Sequence, residues 1–131
     1  VGHQSGLRVF IADDVWTELT AGTAPAVRFN APDLQQAQRM RRGLASAAIL
    51  DVTVVVDADF RAAQQQLSSA GVDNTLSYGG TLDGLAGLLV DIYLAGVADG
   101  VTLIPAVPQQ DARALAEAVS ARVAQRLRTA A

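Results

Sequence analysis

Hydrophobic and polar positions along this chain repeat with two alternating periods, that of strands and that of helices. Leu7-Arg8-Val9-Phe10-Ile11-Ala12 reads as a strand, with a continuation to Trp16 left open. Ala21-Gly22-Thr23-Ala24-Pro25 is turn chemistry, and Ala26-Val27-Arg28-Phe29 is a short second strand. Pro32 stands where a first helical turn tolerates proline, because its missing N–H would have had no partner there. Leu34, Ala37, Arg41 and Leu44 then recur at helical spacing, which predicts a helix over 32–46.

The strongest strand is 49–56, Ile-Leu-Asp-Val-Thr-Val-Val-Val. It is β-branched and almost continuously apolar, as suits a strand covered on both faces in a parallel sheet. Asp57 or Asp59 can cap the next helix, whose buried stripe is Phe60, Ala63, Leu67 and Ala70 and whose end is Gly71. A shorter strand is expected over 75–78. Thr81 can cap a helix bearing Leu82, Leu85, Leu89 and Ile92 and ending at Gly96. A last strand covers 100–104. After Pro105 and Pro108, Asp111 caps a long helix with the apolar row Leu115, Val119, Val123 and Leu127. Strand–helix units in succession argue for parallel strands joined by right-handed crossovers. No segment reads as a linker or an internal repeat, so one α/β domain is expected.

Composition narrows the functions open to such a domain. Its 131 residues suffice for one core. Half of them are hydrophobic and only 5% aromatic, so the core rests on Val, Leu, Ile and Ala, and few rings are left for stacking nucleic-acid bases. The net charge of −3 also lacks the basic footprint of a nucleic-acid binder. Without cysteine there are no disulfides, thiolate metal sites or thiol nucleophiles, and a single histidine, His3, excludes multi-histidine metal centres. No apolar run approaches the roughly eighteen residues that cross a bilayer, and residues 1–5 lack signal-peptide character. A cytoplasmic location is expected.

Candidate chemistry concentrates where loops follow strand ends. In Tyr78-Gly79-Gly80-Thr81 two glycines would let a ligand approach the backbone, and a helix start offers N–H groups to an anion such as phosphate. The same residues are also ordinary loop-to-helix chemistry. Asp13 and Asp14 follow the first strand and serve either as carboxylate catalysts or as solvated caps. Trp16 suits a core or interface position better than ligand stacking, and His3 has no visible partner. Arg28 interrupts an apolar strand and faces either solvent or an anionic ligand. Arg39-Met40-Arg41-Arg42 fits a solvated helix end, and Gln35-Gln36 and Gln64-Gln65-Gln66 fit polar helix faces. There is no P-loop and no Rossmann glycine fingerprint.

Read together, Leu76-Ser77-Tyr78-Gly79-Gly80-Thr81-Leu82-Asp83-Gly84-Leu85-Ala86-Gly87-Leu88-Leu89 and Gly96-Val97-Ala98-Asp99-Gly100-Val101-Thr102-Leu103-Ile104-Pro105 resemble the terminal segment of the bacterial-luciferase-like flavin monooxygenases. Gly80 and Thr81 match that family's Gly-Thr, Ala86 its helix alanine, and Asp99-Gly100 its Asp-Gly turn. The departures are Leu82 for proline, Asp83 for glutamate, Val101 for an aromatic, and an added Ala98. The likeness is clearest over 75–127 and less specific over 49–67. Family members are eight-stranded barrels of roughly 250 residues, so the resemblance implies a parallel sheet of four to five βα units forming a partial, half TIM barrel. It further implies a flavin (FMN) or deazaflavin near Gly79, Gly80 and Thr81, oxidoreductase or monooxygenase chemistry, and a homodimer or partner chain completing the barrel. The alternative is a non-catalytic binding or assembly module derived from that family. Neither a nucleic acid nor a membrane is expected as partner.

Overall fold

The computed structural model describes residues 7–12, 15–20, 22, 24–71, 75–107 and 110–130. Along these residues the elements are β1 (Arg8–Ala12), β2 (Trp16–Glu18), β3 (Ala26–Phe29), α1 (Leu34–Arg41), β4 (Ala47–Val56), α2 (Phe60–Ala70), β5 (Ser77–Gly80), α3 (Leu82–Leu94), β6 (Gly100–Pro105) and α4 (Ala112–Ala130). The strands form one mixed, mostly parallel sheet of order β2-β1-β6-β4-β3, with β5 also paired to β4. The α/β alternation is as expected, and the sheet is strongly curled into the form of half a barrel.

Its strand order is not that of a closed (βα)8 barrel, where each strand pairs with its successor. β4 pairs in parallel with both β5 and β6, so the β5-α3-β6 connection passes β4 before returning to the sheet. β6 then lies between β4 and β1. Of the expectation that β4, β5 and β6 are mutually parallel neighbours in one sheet, the parallel direction holds, but β5 and β6 each pair with β4 and not with one another. On the far edge of β4, β3 pairs with Ala47–Leu50 and β5 with Thr53–Val56. These two short strands therefore lie end to end. Leu76 N donates to Ala31 O at 2.8 Å, and Thr75 Oγ1 donates to Asn30 Oδ1 at 2.7 Å across the joint.

Several boundaries differ from the sequence reading. The first strand does not continue to Trp16, which instead opens β2, a separate strand paired antiparallel with β1. α1 begins at Leu34 because Asp33 accepts from Gln36 N and caps it, and it stops at Arg41 where a turn closes through Gly43 N and Leu44 N. β4 starts at Ala47 because Ala47 and Ala48 already pair with β3. Gly79 and Gly80 belong to β5, not to the loop after it, since they pair with Val55 and Val56.

Alternate strand residues point to opposite faces of the sheet. Val9, Ile11, Leu50, Val52, Val54, Val101 and Leu103 share one face and join Leu85, Leu89 and Ile92 of α3 and Leu115, Val119 and Val123 of α4 in the main core. Burying one such side chain stabilises the fold by about 1.5–3 kcal/mol. The opposite face carries Phe10, Ile49, Asp51, Thr53, Val55 and Thr102. α2 covers part of it, with Ala63 and Leu67 lying directly over Gly79. Elsewhere long side chains do the covering. Trp16 stacks on Phe10 with centroids 4.4 Å apart and donates from Nε1 to Thr102 Oγ1 at 2.9 Å. Arg8 grips Glu18 through two nitrogens at 2.7 and 2.9 Å, and Arg28 reaches Asp51 at 2.7 Å.

Candidate functional site

Helices leave β4 and β6 on opposite faces of the sheet, α2 on one and α4 on the other. Adjacent strands whose helices diverge in this way open a crevice at their carboxyl ends, the usual ligand position in open α/β sheets. Here the chain itself occupies that crevice. Ala106 N donates to Val54 O at 2.9 Å, and Val56 N donates to the side-chain Oε1 of Gln110 at 2.9 Å. Beside it, between the ends of β1 and β6 and the start of α4, lies a cleft of about 550 Å³ lined by Ala12, Pro105, Gln110 and Arg113 among others.

Gly79, Gly80 and Thr81 stand on the same rim, at the end of β5 and the start of α3. Gly79 is needed for packing: a Cβ there would lie 3.1 Å from Ala63 O and from a Leu67 methyl. Its carbonyl accepts from Gln64 Nε2. A Cβ on Gly80 would run into the Tyr78 hydroxyl and meet Phe60 at 3.3 Å. The Gly80 carbonyl accepts from Asp57 N at 3.0 Å. Thr81 caps α3, its Oγ1 accepting from Gly84 N at 3.1 Å, while its carbonyl takes the Tyr78 hydroxyl at 3.0 Å.

These residues are a poor fit to a flavin phosphate. The space their missing side chains leave is filled by the protein's own atoms. One of the first-turn N–H groups of α3 is already satisfied by Thr81. Asp57 and Asp83 adjoin the loop and oppose an anion, although Arg126 and Arg122 pair with Asp83 at 3.0 and 3.3 Å and hold its carboxyl below the ordinary carboxylate range.

Asp99 and Gly100 lie at the other end of the sheet, Gly100 opening β6, where residues of α/β folds serve stability. Asp99 Oδ2 accepts from Ala48 N at 2.8 Å and Oδ1 pairs with Arg41 at 2.6 Å, while its backbone joins Ala48 O and Arg8 N. Gly100 admits no side chain, since a Cβ would meet Arg8 O at 2.5 Å and Ile49 at 2.9 Å.

The remaining candidates are dispersed. Trp16 and Arg28 hold the sheet face opposite the main core and lie away from the rim. Of the arginine cluster, Arg41 is tied to Asp99 and Arg39 and Arg42 are exposed. His3, Asp13 and Asp14 fall outside the described residues. Gln64 and Gln66, read as a polar helix face, and Gln110, not singled out, have partners that the sequence reading did not give them: Gln64 and Gln110 bind the rim backbone, and Gln66 Nε2 donates to Asp57 Oδ2 at 3.2 Å. A glutamine on a polar helix face gives no local sign of such a partner. Among the described residues no group of three or more metal-ligating side chains converges, and no helix is long and apolar enough to cross a membrane. Compared with known proteins, the chain matches no family model and no curated sequence.

Proposed function

We propose that this chain is a non-catalytic binding or assembly module, derived from the luciferase-like flavin oxidoreductases and working in the cytoplasm as a homodimer or with a partner chain along its sheet edges. One observation carries this reading: Gly79, Gly80, Thr81, Asp99 and Gly100, which bear the resemblance, are all engaged in packing or hydrogen bonding within the fold. Titration with FMN and with a deazaflavin, followed by visible absorbance and fluorescence, tests it. The expected result is no complex at about micromolar protein, because retention at that concentration needs about 8 kcal/mol from a formed pocket. A stoichiometric coloured complex overturns the reading.

The second reading is a flavin-dependent oxidoreductase or monooxygenase with Gly79, Gly80 and Thr81 beside the cofactor phosphate. It is favoured by the cleft on the same rim, whose volume of about 550 Å³ falls within the usual range for small-molecule sites. If flavin does bind, Gly80→Ala combined with Tyr78→Leu separates binding from folding, because the second change removes both the hydroxyl and the ring carbon that the new Cβ would meet. A folded double variant with undiminished flavin affinity excludes Gly80 from the site.

A further inference from the structure

We draw no further inference here: the strongest candidate, the cleft between the carboxyl ends of β1 and β6 and the first turn of α4, belongs to the rim already described and adds only a helix N-terminus, with no buried unpartnered side chain among the described residues aimed into it.

Discussion

At Gly79 the approach of α2 to the sheet depends on a single absent carbon. An alanine there brings its Cβ to 3.1 Å from a backbone oxygen and from Leu67, so Gly79→Ala is expected to cost about 1–3 kcal/mol by overpacking. Gly100→Ala is expected to cost more, because its obstacle at 2.5 Å is the Arg8 carbonyl on the neighbouring strand. Gly43→Ala is the control. Its Cβ would sit 3.6 Å from Met40 O, outside the left-handed region, and the change should be neutral or stabilising by about 0.4–1 kcal/mol. Urea denaturation ranks the three, and a Gly43 variant as unstable as the Gly100 variant refutes the assignment. Glu18 gives a pH-dependent counterpart. Burial pushes its carboxyl up, but hydrogen bonds from Arg8 and Thr20, the Arg8 charge and the Gly22 amide outweigh this and hold it below the ordinary 4.5. A carboxyl with a depressed folded pKa stabilises fully above its unfolded value, and that contribution disappears as pH falls through the folded value. Stability should therefore decline below about pH 4.5, and Glu18→Gln should flatten that part of the profile while lowering stability at neutral pH. An identical acid limb in wild type and variant counts against the ion pair.

Among the elements, β2 depends most on specific side chains, having only three residues. Thr102→Val leaves the Trp16 Nε1–H without its acceptor, an expected loss of about 1–3 kcal/mol. Since Trp16 is the chain's one tryptophan, its emission should shift to the red in the same variant as the ring leaves Phe10. Unchanged emission would mean the stack holds without that bond. Thr81→Ala removes the α3 cap at an expected cost of about 1 kcal/mol, read from the same denaturation curves. The local rules that predict Thr81 and Gly71 as helix ends, and Asp57 or Asp59 as the cap of α2, act within a few residues; Thr81 and Gly71 are as read, and Asp59 is the cap of the two. β2 was not legible, because Trp16-Thr17-Glu18 is too short to carry a period of its own and follows β1 after only three residues. The glycine pair was misplaced for a related reason: glycine signals a loop, and only the pairing with Val55 and Val56, distant in sequence, makes Gly79 and Gly80 strand residues.

For the whole molecule, alternating patterns foretold parallel strands, but they carry no record of which strands become neighbours. The order β1-β6-β4 depends on contacts between residues far apart in the chain, Thr102 with Asp51 at a separation of 51 positions and Phe10 with Thr102 at 92. The expected dimer belongs to this scale as well. β3 is an edge strand with Val27 37% exposed, an invitation to pairing that a lysine would blunt. Val27→Lys should shift the sedimentation profile from dimer toward monomer with little change in thermal stability. If the wild type itself sediments as a monomer at about micromolar concentration and needs no partner, its edges are covered internally and the assembly reading fails.

The end-to-end placement of β3 and β5 along β4 has a consequence in time. β6 is paired on both sides, by β1 and by β4, while β4 has three partners, β6 on one side and β3 and then β5 on the other. Their amide protons should exchange with solvent only when the entire molecule opens, whereas β2 and β3 can detach separately and exchange early. The joint at Ala31 and Leu76 would then be a boundary between regions that open on different clocks.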